Sequence, residues 1–180
     1  MTVVDRLSVD RAGGGDVRSL WGELRESTVH RLDEFTNAGE ARRDLAKRRL
    51  LLALELRWKL EEQVLLPALL DSGTGEFGSR AGVEAVEAEI HHLRELCELL
   101  QGGALPQSAA RTVVGVLEGL AGLRSAQIEQ ALAEASAARR IDTAALADDM
   151  RALLARWRGE IADTGDIEDE EADPVGRPPR

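Results

Sequence analysis

The chain has 180 residues, 43% of them hydrophobic, with a formal net charge of −10, which suits one domain with its own core. Residues 160–180 hold eight acids against Arg177 and Arg180, so the rest is only mildly acidic and lacks the basic stripe that phosphate neutralisation needs; nucleic acid is not an expected partner. The longest uncharged apolar runs, LLLAL and VLLPALL, fall far short of the roughly 20 residues that span a bilayer, which argues against a membrane.

Ala, Leu, Arg and Glu dominate, Tyr is absent and Phe occurs twice, which predicts an all-α protein. Residues 1–15 end in a triple glycine and read as a flexible leader that stops at an N-cap, Asp16. A first helix is expected over about 17–37, with Leu20, Trp21, Leu24, Leu32 and Phe35 on one stripe. A second begins near Glu40 and runs to about Leu70, with Pro67 either kinking its last turn or starting its termination. The glycine-rich stretch 71–79 marks a loop. The third helix, about 81–101, buries Val83, Val86, Ile90, Leu93, Cys97 and Leu100. The fourth starts after Ser108, buries Val113, Leu117, Leu120, Ile128, Ala131 and Ala135, and fades near Arg139. A last helix, about 143–161, presents Leu146, Met150, Leu153, Leu154 and Trp157, and Leu153 or Trp157 marks either a dimer face or a docking contact. The acidic, proline-ended stretch 163–180 reads as a disordered tail. Short connections favour an up-down-up-down four-helix bundle over 16–162 with the fifth helix laid against it. The single cysteine, Cys97, excludes an internal disulfide, and with no leader sequence at the start a cytoplasmic location is expected.

The segment 50–70, LLLALELRWKLEEQVLLPALL, places two charges on its buried line. Leu50, Leu54, Arg57, Glu61 and Val64 recur at spacings of three and four, so Arg57 and Glu61 should face the interior. A buried charge costs several kcal/mol unless it is paired, metal-bound or fully hydrogen-bonded. An ion pair four residues apart, extended by Arg124 from the fourth helix, would satisfy both groups. Cys97, on the core stripe, reads as inert packing. Five cations, Arg42, Arg43, Lys47, Arg48 and Arg49, crowd the start of the second helix, and the acidic tail is their natural counter-charge.

The run Glu61-Glu62-Gln63-Val64-Leu65-Leu66-Pro67-Ala68-Leu69 resembles the acidic pair, apolar residues and proline that close the second helix of the hemerythrin-like, or HHE cation-binding, family. VHRLDEF at 29–35, IHHLREL at 90–96 and IDTAALADDMRALLARW at 141–157 are weaker matches. In that family, histidines and carboxylates from four helices hold two iron ions. The resemblance puts Glu61 at the second-helix glutamate, but Arg57 at its histidine partner, Ile90 at the third-helix histidine, Val29 at the first-helix histidine, and Arg124 and Ile128 at the fourth-helix ligands. Most of the family's metal set is therefore replaced. A register shifted by one residue would leave His30, Glu61, His92 and Glu129 as two imidazoles and two carboxylates, enough for one divalent metal. A fixed cation at Arg57 weighs against that arrangement.

The resemblance therefore implies a helical bundle whose di-iron site has degenerated, acting as a structural or regulatory interaction module with a protein partner or a second copy, and with no cofactor. A surviving non-heme iron protein for oxygen, nitric oxide or redox sensing is the second reading, and an enzyme with a reduced metal site the third. No nucleophile with its base and no phosphate-binding glycine loop is present, so enzymatic activity is not expected.

Overall fold

The computed structural model describes residues 16–102 and 106–163, and the leader 1–15 and the tail from 164 onward lie outside the described residues. Helix α1, Val17–Asn37, opens at Asp16, whose carboxylate accepts from the Ser19 N–H at 3.0 Å, satisfying a donor that has no partner within the helix. A 3₁₀ turn, Glu40–Arg42, leads into α2, Arg43–Leu60. The next five residues, Glu61–Leu65, form a π turn, followed by α3, Leu66–Ser72. Helices α4, Arg80–Gln101, α5, Gln107–Ala137, and α6, Thr143–Asp163, complete the chain. The described residues are helical with turns and contain no strand, and none of their helices is long and apolar enough to cross a membrane.

Pro67 neither ends nor breaks the second long helical segment. The chain opens instead into a π turn just before it, with the Leu66 N–H bonded to the Glu61 carbonyl. Proline lacks an N–H and its ring crowds the carbonyl four residues back, so a widened turn at this point lets the helix continue past it. Val64, Leu65 and Leu66, at and just after this turn, are all buried. The segment stops at Gly73, whose φ of 64° is the left-handed cap conformation that glycine adopts without strain. Beyond it, α4 begins close against the preceding turn: a Cβ on Gly82 would lie 1.9 Å from the Glu76 carbonyl oxygen, so only glycine fits there. Ser79 caps α4 by accepting from the Gly82 N–H at 3.1 Å, and Asp142 caps α6 through the N–H groups of Ala144 and Ala145.

Helix α1 packs on α2, α5 and α6, while α4 packs on α2 and α5. Trp21 and Leu24 from α1, Leu50 and Leu54 from α2, Ile90 and Leu93 from α4, Leu117 and Ile128 from α5, and Ala147 and Met150 from α6 are all buried in one apolar cluster. Several side chains sit differently from their expected stripe. On α1, Val29 is 45% exposed and Thr28 takes the buried position, its hydroxyl donating to the Leu24 carbonyl at 2.9 Å. On α5, Val114 and Ala121 are buried, and Val113 and Leu120 only partly so. Leu153 and Trp157 dock on the other helices rather than forming an outer face: Leu153 is buried, and Trp157 packs on the core with the Lys59 ammonium 4.0 Å from its ring centroid.

Candidate functional site

Helices α2 and α5 and the π turn bring Arg57, Glu61 and Arg124 together inside the apolar cluster, with exposures of 2%, 0% and 2%. Arg57 and Glu61 lie one helical turn apart, and Arg57 Nε donates to Glu61 Oε1 at 2.8 Å. Arg124 reaches across from α5 and donates through Nη1 to Glu61 Oε2 at 3.1 Å. Each oxygen of the one buried carboxylate thus accepts from a different guanidinium. The second cation is balanced at the boundary of the core, where Glu89 Oε2 of α4 lies 2.5 Å from Arg124 Nη2, in ion-pair contact but not aligned for a hydrogen bond. Arg57 Nη2 also donates to the Ala121 carbonyl at 2.7 Å, and the Ser125 hydroxyl donates to the same oxygen at 2.9 Å. The Trp21 ring lies 5.1 Å from the Arg57 guanidinium carbon, close enough for a cation–π contact on a face with little water to compete. Charge inside the network therefore closes at two guanidiniums against two carboxylates.

The other residues considered as metal ligands do not join it. His30 is exposed on α1. His92 is exposed on α4, its side chain 74% accessible and its Nδ1 3.1 Å from Glu95. Glu129 accepts from Arg25 of α1 at 2.8 Å. Among the described residues no three His, Cys, Asp or Glu side chains form a group able to hold a metal ion. The chemistry around Glu61 does not fit a di-iron centre either, because both of its oxygens are taken by guanidinium donors and two fixed cations would repel an incoming metal.

Two further charge clusters were not foreseen. On α4, Arg94 donates to Glu62 at 2.8 and 3.0 Å and to Glu55 at 3.2 Å through Nε and Nη2, with its guanidinium carbon 5.6 Å from the Trp58 ring centroid. Burial disfavours the charged guanidinium, but the two carboxylates outweigh it and raise the pKa of Arg94 above its ordinary value. Glu55 and Glu62 are seven apart and so share a helix face, a spacing legible in the sequence. On α1, the largely buried Arg31 donates to Glu34, which also accepts from Arg49 of α2 at 3.0 Å. Burial would raise the Glu34 pKa, and the two arginines nevertheless hold it below the usual carboxylate value.

Cys97 lies against an open groove of about 750 Å³ between α2 and α4, yet its thiol is buried. Burial, and then the negative charge of Glu55, push its pKa up to about 12. At pH 8 the thiolate fraction is then about three orders of magnitude below that of an ordinary cysteine. We expect alkylation of the native protein at pH 8 to be slower than that of the urea-unfolded chain by a similar factor. Equal rates in both states would mean the thiol is exposed. The sign of the linkage follows from the upward shift: stability from the protonated thiol is complete below the unfolded-state pKa and is lost as pH rises toward 12.

No family model matches the chain, and no curated protein or solved structure matches it.

Proposed function

We propose that this chain is a hemerythrin-like up-down-up-down bundle of α1, the α2–α3 segment, α4 and α5, with α6 laid against it. In this reading the di-iron position has been taken over by an ion-pair network, and the protein works as a non-catalytic structural or regulatory module that engages a protein partner or a second copy. The bundle is supported by the cyclic order of neighbours, α1 with α2, α2 with α4, α4 with α5 and α5 with α1. The observation that carries the function is Glu61, fully buried and bonded on both oxygens to Arg57 and Arg124. A carboxylate at the family's ligand position is here committed to holding two helices in register, which is the best-attested use of a buried ion pair. The unpaired Cys97 agrees with a reducing compartment, and we assign the protein to the cytoplasm on that basis.

Ferrous iron supplied anaerobically to the purified protein tests this reading directly. We expect well under one iron per chain after desalting, no oxo-bridge absorption on exposure to air, and a melting temperature unchanged by the metal. Near-stoichiometric iron with such bands would overturn the proposal and establish a metal-dependent sensor or carrier. Iron uptake abolished in Glu61→Gln but not in His92→Gln would locate the ligand.

A further inference from the structure

The outer face of α5 carries apolar side chains that nothing in the described chain covers. Leu123 is 59% exposed, more than any other large hydrophobic residue described, and Val116 is 43% exposed. They stand seven residues apart and so share one side of the helix. Thr112, Gly115, Gly119, Gly122 and Ala126 are exposed on the same face, which runs for about 21 Å without a charged residue. Glu118 is exposed on the flank, about 100° away from Gly119.

The glycines have no use inside this chain. Glycine weakens a helix interior relative to alanine, yet three of them fall within the eight residues 115–122. All three lie within α5, and none has a positive φ. A Cβ built on Gly115, Gly119 or Gly122 would meet nothing within 4 Å. Neither the backbone conformation nor the packing of the described residues calls for glycine here. What a helix face gains from missing side chains is the close approach of a second helix.

The face is also complementary to itself. At about 100° per residue, Thr112 and Ala126 lie within about 20° of a midline through Gly119, with Gly115 and Gly122 on one side of it and Val116 and Leu123 on the other. A twofold axis parallel to the helix turns the glycine side of one copy toward the Val116 and Leu123 side of the other. Val116 then lies against Gly115 of the other copy and Leu123 against its Gly122, each offset by one residue's rise of about 1.5 Å. An antiparallel pair would instead crowd Val116 against Leu123, leave glycine facing glycine, and set the two Glu118 carboxylates on the same flank. Contact between identical patches requires this internal match. A foreign partner does not, and the absence of charge leaves an acidic or basic one nothing to recognise.

We propose that two copies of this chain pair through the outer face of α5, side by side and parallel, with Thr112, Gly119 and Ala126 along the line of contact. The pairing rests on the reading above only in that it names the surface of the second-copy module, and iron uptake, which decides the metal question, leaves it untouched. One helix face is a small interface, so the association is reversible and concentration-dependent.

Sedimentation velocity of the full-length protein over a wide concentration range provides the test, and we expect a monomer–dimer equilibrium. Leu123→Glu should remain monomeric throughout, with the parent's melting temperature in dilute solution. Gly115→Ala, Gly119→Ala and Gly122→Ala together should act with opposite signs: a higher melting temperature in dilute solution, because alanine favours the helix, and association weaker by about tenfold or more, because methyl groups hold the two helices apart. In a Cys97→Ala background, Thr112→Cys and Ala126→Cys should each oxidise to a disulfide-linked pair on their own. A monomer at every concentration would overturn the proposal. So would association that survives Leu123→Glu or the three alanines, which would place the contact elsewhere, or cross-linking only when the Thr112→Cys and Ala126→Cys proteins are mixed, which would make the pair antiparallel.

Discussion

Replacing Glu61 with alanine should destabilise the protein by about 3–5 kcal/mol, a fall in Tm of roughly 6–20 °C for a chain of this size. The reason is the asymmetry of buried pairs. The carboxylate is fully buried and bonds both Arg57 and Arg124, so its removal strands two guanidiniums in an apolar cluster where neither can reach water. Arg57 would keep only the Ala121 carbonyl and the face of Trp21, and Arg124 only the partly exposed Glu89. Removing the three fully buried charges at once should behave oppositely. Arg57→Met, Glu61→Leu and Arg124→Met together exchange the network for apolar groups of similar length, and we expect stability equal to the parent or greater by about 1–4 kcal/mol. Urea titration of both proteins measures the contrast. A Glu61→Ala protein with the parent's midpoint would mean that water enters the site and that the network does not hold the helices together.

Trp21→Ala should cost about as much, roughly 3–5 kcal/mol, by a different route. Trp21 is 1% exposed and is the largest fully buried side chain of the core, so truncation leaves a cavity that the surrounding helices cannot fully close. It also removes the ring beside Arg57. Trp21 Nε1 has no hydrogen-bond partner among the described residues, so Trp21→Phe loses volume but no hydrogen bond and should cost distinctly less. The ring's part in holding the arginine is isolated by combining Trp21→Ala with Arg57→Met, where a coupling of about 0.5–2 kcal/mol is expected. Strictly additive losses would show that the ring packs beside the guanidinium without stabilising it.

The helical plan was legible in the amino-acid order because each long helix carries a three-four apolar stripe bounded by a recognisable stop. Asp16 and Gly73 act where capping chemistry puts them, and the buried arginine and glutamate of α2 follow from periodicity alone. The π turn was not legible. Proline signals a disturbed helix, but whether the chain ends, kinks or widens depends on the packing of Val64, Leu65 and Leu66 against other helices. The position of Val29 was misjudged for a related reason: it is exposed and Thr28 is buried, because the rotation of a helix about its axis decides which residue at the edge of a stripe faces the core, and local sequence does not set that rotation.

The sequence by itself determined that the described chain would be helical, where most of its helices start and stop, and that Arg57 and Glu61 would face inward, since periodicity and capping are local properties of the chain. The expected pair extended by Arg124 does form, across 63 residues of sequence, but only the tertiary structure decided the rest of what those charges meet: Trp21, Ala121 and Glu89 come from three other turns of helix. Which cation shares a carboxylate depends on how α1, α4 and α5 rotate about their axes to bury the most apolar surface, and that is a property of the packed assembly of helices rather than of any one of them.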